Sequence, residues 1–286
     1  MNSIELIRIG TKILQKNLKF NAELDSELIL SNILKTTREK LIIHPKKNVN
    51  KLSENKFNID VNKRKFKKPI AYILGYKEFW KQKFVTNPSV LIPRPDTELI
   101  IEKVLKSFKK NENKNVLDIG TGSGCIILSI LSERKKFRGI GIDLSKQAIN
   151  VAKINAKMQQ FGNRIRFINT DIDNFFSYKY DLIVSNPPYI KKSKLRCLIE
   201  DVKNFEPKLA LDGGPDGFST VLKVIEKSSK LLKKNGMLFL EIDRSQVIKT
   251  KEMLIKYKLY TKDVCKDLSG NNRCIIAIKL WWYEKF

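Results

Sequence analysis

Apolar residues recur at helical spacing over the front of this chain and in short strand-like runs over the rest. Ile4, Ile7, Thr11 and Leu14 fall on one helical face, and 22–34 carries a second stripe through Leu24, Leu28 and Leu34. Thr36-Thr37-Arg38-Glu39 predicts the start of a third helix, with Glu39 three residues after Thr36 as in a capping box. A further helix starts near Pro69, suited to a first helical turn, and stops at Gly75, suited to a C-terminal cap. Residues 1–75 thus read as a small helical bundle. It holds no catalytic-looking cluster, so its expected role is to recognise a partner.

The pattern changes over 76–95. Phe79-Trp80 and Phe84-Val85 flank a lysine-rich turn, and Asn87-Pro88-Ser89 turns the chain before Val90-Leu91-Ile92, which predicts a β-hairpin linker. Pro93 and Pro95 stop any strand, and Thr97-Glu98 opens a helix through Ile101, Val104 and Leu105. From 115 onward, strands are expected at 116–119, 138–142, 165–168, 182–184 and 237–240, with at least one more at 274–278. Helices are expected at 125–131, 146–161 and 220–232, the second with Ala148, Val151, Ala152 and Ile154 as its apolar positions. Repeated strand–helix units imply an α/β fold with a parallel, doubly wound sheet over 96–286. Ligands of such sheets sit beyond the carboxyl ends of the strands.

Composition narrows the function. At 286 residues and 42% hydrophobic, the chain can bury a sizeable core in one large or two unequal domains. No apolar run approaches the ~20 residues that span a bilayer, and the start shows no export signal, so a soluble, cytoplasmic protein without a membrane partner is expected. Cys125, Cys197, Cys265 and Cys274 form no C-x-x-C pair, and His44 is the single histidine, which argues against a metal site and against Ser-His-Asp or Cys-His nucleophiles. The formal charge of +26 suits a polyanionic partner, but lysine pairs such as Lys67-Lys68, Lys109-Lys110, Lys135-Lys136 and Lys233-Lys234 are scattered. No stable nucleic-acid complex is expected, and the protein is expected to act as a monomer.

Two loops at strand ends carry the chemistry. Asp118-Ile119-Gly120-Thr121-Gly122-Ser123-Gly124 follows a strand and enters a helix, and its glycines let the backbone turn tightly and approach a ligand. The spacing G-x-G-x-G differs from the G-x-G-x-x-G of pyrophosphate binders. A carboxylate at Asp118 would repel a pyrophosphate but can pair with an aminoacyl ammonium, which favours S-adenosylmethionine. Asp143 ends the next strand, where an acid accepts ribose hydroxyls. Asp171 and Ile172, past the third, are placed for the adenine edge and face.

The second loop is Asn186-Pro187-Pro188-Tyr189, straight after the strand Asp181-Leu182-Ile183-Val184-Ser185. An amide or exocyclic amino nitrogen is a poor nucleophile because its lone pair is delocalised. A useful site accepts both N–H bonds and aims that lone pair at a methyl group. Asn186 offers a side-chain carbonyl, Pro187 a rigid backbone carbonyl, and Tyr189 a ring to stack on the planar target. No base is needed before transfer, so rate would come from orientation and proximity.

These residues are similar to those of class I, Rossmann-like S-adenosylmethionine-dependent methyltransferases with an (Asn/Asp/Ser)-Pro-Pro-(Tyr/Phe) loop. Within that class the chain resembles the release factor glutamine methyltransferases, the PrmC/HemK family. Pro69 to Gly75 with Glu78-Phe79-Trp80, Ile92-Pro93-Arg94-Pro95-Asp96-Thr97-Glu98, and Phe205-Glu206-Pro207 with Ala210-Leu211-Asp212-Gly213-Gly214 carry that resemblance. It implies methylation of the glutamine amide in the Gly-Gly-Gln motif of class I peptide chain release factors, hence a role in translation termination. It also implies a helical domain, a hairpin linker and a catalytic domain, with 120–124 and Asp143 at the cofactor, Ile172 at the adenine and 186–189 at the glutamine. The chain departs from the family where a glycine commonly follows Leu240-Glu241-Ile242, since Asp243-Arg244 stands here, and Ile172 stands where larger aromatic residues also occur.

Three other readings compete. A ribosomal-protein glutamine methyltransferase shares the second loop but tends to lack the Arg94 to Glu98 stretch. An adenine-N6 or guanine-N2 nucleic-acid methyltransferase would carry clustered basic and aromatic residues for target recognition. A noncatalytic binding module would not need Asn186 and the glycine loop intact.

Overall fold

The computed structural model describes residues 1–18, 21–44 and 47–280. The first helices are α1 (Ser3–Gln15), α2 (Ala22–Ile33), α3 (Arg38–Ile43), α4 (Lys51–Lys65) and α5 (Ile70–Leu74). A hairpin of β1 (Tyr76–Phe79) and β2 (Gln82–Val85) follows, then α6 (Glu98–Ser107), β3 (Asn115–Ile119), α7 (Cys125–Glu133), β4 (Arg138–Asp143), α8 (Lys146–Met158), β5 (Ile165–Asn169) and β6 (Tyr180–Ser185). The chain continues through α9 (Glu200–Phe205), α10 (Ser219–Leu231), β7 (Leu232–Glu241), α11 (Val247–Lys256), β8 (Tyr260–Lys266) and β9 (Asn272–Ile278). It divides into two compact units, Met1–Tyr76 with Ile199–Phe205, and Lys77–Leu198 with Glu206–Phe286.

The helical unit has its own core, centred on Leu6, Leu14, Ile29, Leu30, Phe57 and Val61. Its buried faces differ from those the apolar spacing predicts. On α1 the buried positions are Ser3, Leu6, Gly10 and Leu14, not Ile4, Ile7 and Thr11. Gly10 turns the helix because a Cβ there would stand 2.7 Å from the Phe57 ring and 2.9 Å from Ser26 Oγ. On α2, Leu24 is exposed, while Asp25 and Glu27 are buried with Ile29 and Leu30. Those acids are tolerated because each is paired, Glu27 with Arg38 and Asp25 with Arg64 at 2.7 Å. Arg64 also reaches Asp201 of α9 at 2.6 Å. The cap of α3 is Thr37, whose hydroxyl accepts from Lys40 N at 3.3 Å, one residue later than the expected box. Helix α4 has no counterpart among the expected helices, because only Phe57 and Val61 supply its buried apolar contacts in a lysine- and asparagine-rich stretch.

The second unit is built on a seven-stranded sheet in the order β5-β4-β3-β6-β7-β9-β8. Strands β3 to β7 pair in parallel, as the repeated βα units require, whereas β9 runs antiparallel to both neighbours. The sheet is therefore mixed, not wholly parallel. The cause is the short link after β8: Asp267 Oδ1 accepts from Ser269 N and Asn271 N at 3.0 and 2.9 Å, and so tight a turn can only join antiparallel strands.

Alternating side chains feed two cores. Val116, Leu182 and Val184 face helices α6 and α7, together with Phe79 and Phe84 of the hairpin. Leu117, Ile119 and Ile183 face α10 and α11. With both faces covered, β3 and β6 lie at the centre of the unit. No helix of the described residues is long and apolar enough to cross a membrane.

Candidate active site

The two chemistry-bearing loops leave the sheet side by side. Ile119 at the end of β3 is in register with Ser185 at the end of β6, and Ser185 Oγ donates to Ile119 O at 2.7 Å. Strand order reverses here, with β4 and β5 laid on one side of β3 and β6 and β7 on the other, which is where open α/β sheets bind ligands. A cleft of about 560 Å³ opens above these ends, lined by both loops and by Leu91, Arg94 and Thr97.

Backbone geometry shapes one wall. Gly120 and Gly122 have φ of +72° and +56°, a left-handed conformation unfavourable to residues with a Cβ. A Cβ on either would meet no atom within 4 Å, so it would project into open space. Gly124 shares the left-handed backbone, with φ of +80°, and is crowded as well, since its Cβ would press on Leu128 at 3.1 Å and Phe167 at 3.3 Å. The N–H groups of Gly120 and Thr121 both donate to Ile142 O at 2.9 Å, which ties the loop to the end of β4. Asp143 lies on this wall and accepts from Gly122 N and Ser145 N, each at 2.9 Å. Burial raises its carboxyl, and those two N–H bonds pull it back down. Thr121, Ser123, Asp171 and Ile172 also line the cleft.

Asp118 lies beneath this loop, off the cleft wall. It is fully buried, and its Oδ2 accepts from Thr121 Oγ1 at 2.7 Å. Burial pushes its carboxyl up to about 7, the Thr121 bond opposes the rise, and the charge of Asp143 adds to it. Asn155 is a member that pattern reading missed. It is buried on α8, accepts from Val85 N at 2.7 Å, and donates to Val85 O at 3.2 Å and to Ser123 O at 2.9 Å. The signal was a polar residue at the next helical position of the Ala148–Ala152 stripe; Ile154, expected there, is instead 49% exposed.

Side chains from distant segments hold the opposite wall. Asn186, Pro187 and Pro188 line the cleft. Asn186 Nδ2 donates to Thr97 Oγ1 at 3.1 Å, which leaves the carbonyl end of the amide for the cleft. Tyr189 does not reach the lining. Its ring packs into the core beneath, and its hydroxyl donates to Glu241 Oε1 at 3.3 Å. Burial and the neighbouring Glu241 both raise that phenol. Arg94 pairs with buried Glu206, which also accepts from Ile92 N at 3.2 Å. A Cβ on Gly213 would stand 2.8 Å from Pro188 O, and one on Gly217 would stand 2.6 Å from Tyr189 O. The 92–98 and 206–214 stretches thus converge on the 186–189 loop. The turn after Ile242 needs no glycine, because Asp243 has φ of −71° and forms a capping box with Gln246, whose side chain donates to Gly217 O at 2.7 Å.

Family models place residues 5–75 in a "PrmC N-terminal domain" and residues 110–284 in a "Methyltransferase domain". A release factor glutamine methyltransferase of Buchnera aphidicola is 36% identical over 91% of this chain and 93% of its own length. One from Clostridium acetobutylicum is 34% identical over 96% and 97% respectively. The chain belongs to the release factor glutamine methyltransferase family. A methyltransferase structure from Pyrococcus furiosus, 20% identical with a TM-score of 0.54 over 80% of this chain and all of that one, shares the fold. The family's cofactor is S-adenosylmethionine, and the residues present fit it. Gly120 and Gly122 leave a side-chain-free cradle, and Asp143 presents a carboxylate held by two N–H bonds on the same wall.

Proposed function

We propose that this chain methylates the side-chain amide nitrogen of the glutamine in the Gly-Gly-Gln motif of class I peptide chain release factors, and so supports translation termination. The observation that carries this reading is the Asn186 amide, whose NH2 end is taken by Thr97 beside the glycine cradle. Asn186 Oδ1 and the Pro187 carbonyl would each accept one substrate N–H. Those bonds draw density onto nitrogen and fix the direction of its lone pair. Bound S-adenosylmethionine supplies an electrophilic methyl group on sulfur. After transfer the nitrogen releases one proton, so no residue has to remove it beforehand.

In this reading Gly120 to Gly124 hold the aminoacyl end of the cofactor, Asp143 takes the ribose, and Asp171 and Ile172 take the adenine. Asp118 supports the cradle through Thr121 instead of meeting the ligand directly, and Tyr189 supports the glutamine loop from behind. Residues 1–75 recognise the release factor, 76–95 link, and 96–286 catalyse. The protein works as a cytoplasmic monomer without a stable nucleic-acid partner, in keeping with its scattered lysines.

Labelled cofactor and full-length release factor, followed by mass analysis of the Gly-Gly-Gln peptide, test this directly. The expected result is one added methyl on the glutamine. An unlabelled glutamine alongside efficiently labelled RNA or DNA would overturn it. Asn186→Ala is expected to lower kcat by about 10²–10³-fold, as loss of a preorganised hydrogen-bonding group at a reacting centre does. Cofactor affinity should stay within about threefold.

A further inference from the structure

The stretches 92–98 and 206–214 meet at one ion pair, between Arg94 and Glu206. The Glu206 side chain is 1% exposed and that of Arg94 is 39% exposed, so the acid is sealed off while the guanidinium opens to the cleft it lines. Each Glu206 oxygen has its own partner. Oε1 accepts from Arg94 Nη2, and Oε2 accepts from Ile92 N at 3.2 Å. Pro93 and Pro95 flank Arg94 and stiffen the backbone on both sides. The arginine is thus held at its backbone and at its tip before any ligand arrives. A buried acid is costly, and an apolar residue would fill its place without that cost, so the pair is better explained by what the guanidinium does.

A guanidinium carries five N–H bonds and no acceptor, and Glu206 takes one of them. The other donors can serve only an acceptor in the cleft. Two kinds of oxygen compete for them, the carboxylate of the cofactor and the carbonyls of the substrate chain. Charge separates the two. Glu206 already balances Arg94, so a cofactor carboxylate would set a second anion against one cation, whereas a carbonyl adds no charge. Position agrees with charge. Thr97 N donates to Arg94 O at 3.1 Å, which puts Arg94 one turn from the hydroxyl that holds Asn186.

The glycines of Gly-Gly-Gln have no side chains, so an enzyme can read them only through their backbone. We infer that Arg94 donates to a main-chain carbonyl of that glycine pair, and that Glu206 is the positioning residue that aims it. Leu91, Pro93, Pro207 and Leu209 line the same cleft, and such apolar surroundings strengthen a hydrogen bond by excluding water.

The inference rests on Gly-Gly-Gln being the substrate. Its test is steady-state kinetics with full-length release factor, comparing the unaltered enzyme with Arg94→Met, Glu206→Gln and the variant carrying both. Arg94→Met is expected to raise KM for release factor by about 10- to 100-fold, the size of a hydrogen bond from a charged donor. Binding lost equally before and in the transition state raises KM alone, so kcat should stay within about threefold. Cofactor Kd, read by calorimetry, should also stay within about threefold. Arg94→Met strands a buried acid, whereas the variant carrying both substitutions strands none and should show the same rise in KM. Glu206→Gln alone leaves the guanidinium in place but less firmly held, and should raise KM by about 3- to 10-fold. The ratio of KM between Arg94→Met and the unaltered enzyme should not change with salt, because a carbonyl carries no charge to screen. A ratio that shrinks with salt would give Arg94 a carboxylate of the release factor instead, and overturn the inference. So would a weakened cofactor Kd at unchanged KM, or a fall in kcat at unchanged KM. Failure of the unaltered enzyme to methylate the glutamine would overturn the substrate reading itself.

Discussion

The two loops at the centre of the sheet stand over the same device, a buried carboxyl that accepts from a hydroxyl, yet they are assembled in opposite ways. Under the glycine loop the pair is Asp118 and Thr121, three residues apart on one turn of chain. Behind the Asn186 loop it is Glu241 and the Tyr189 hydroxyl at 3.3 Å, brought together from the end of β7 and a loop fifty-two residues earlier. The first loop takes its shape from backbone torsions at Gly120 and Gly122. The second is rigid at its prolines but takes its orientation from Thr97, Glu241 and the close approach of Gly213 and Gly217. One site is written in a single heptapeptide; the other exists only after folding has joined four segments.

The sharpest way to break the comparison is to place a branched side chain on the locally built loop. Gly122→Val puts a β-branched residue at φ +56°, where left-handed backbone costs about 1–2 kcal/mol for L-residues and most for branched ones. Nothing within 4 Å supports the new Cβ, so the side chain occupies the cleft instead of packing. Cofactor affinity measured by calorimetry is expected to fall by about 10- to 100-fold, with the circular dichroism spectrum unchanged. Unaltered affinity would show that the glycine loop does not cradle the cofactor.

The same contrast explains what could be read before folding. Gly120 to Ser123, Asp143, Asp171, Ile172 and Asn186 to Pro188 line the cleft, because a motif at a strand end is carried to the carboxyl edge of the sheet, whereas Gly124 packs against Leu128 and Phe167. Asp118 and Tyr189 belong to the same motifs but turn inward, Asp118 because neighbouring side chains on a strand point to opposite faces, and Tyr189 because Glu241 and the core beneath hold its ring. Thr97, Glu241 and Asn155 act through partners remote in the chain, so periodicity could not assign them roles. Helix faces failed where packing is polar or glycine-made, at Gly10, Asp25 and Asn155. Strand order from β3 to β7 was legible from the repeating units, whereas the antiparallel end depended on one aspartate-closed turn.

A smaller effect separates the two carboxyls. Asp118 is pushed up to about 7 from an ordinary 3.8, so the folded protein holds this proton more tightly than the unfolded chain. The associated stability is complete below the unfolded value and is lost as pH rises through the folded one. Without cofactor, unfolding free energy is expected to fall between pH 5 and 8 by on the order of 2 kcal/mol from this group. Glu241 adds a slope of the same sign. Asp118→Asn cannot ionise, so urea titrations at the two pH values should show the fall reduced by roughly half. A slope as steep as that of the unaltered protein would mean that Asp118 titrates normally beneath its loop.

The mildest test concerns the turn after Ile242, where this chain has Asp243 in place of the glycine common in its family. If the glycine were needed for a left-handed torsion, Asp243 would be strained, but its φ is −71°. Its carboxylate accepts from Ser245 N at 2.9 Å, and its own N–H is taken by Gln246 Oε1 at 3.2 Å. The turn is thus made by side chains, like the Asn186 loop it supports through Gln246. Replacing a capping aspartate with glycine costs only a few tenths of a kcal/mol. Asp243→Gly should therefore shift the thermal midpoint by about 1–2 °C and leave kcat within about twofold. A gain of several degrees would reveal strain at Asp243 that its torsion does not show. A loss of activity without loss of stability would place this turn, through Gln246, among the supports of the Asn186 loop.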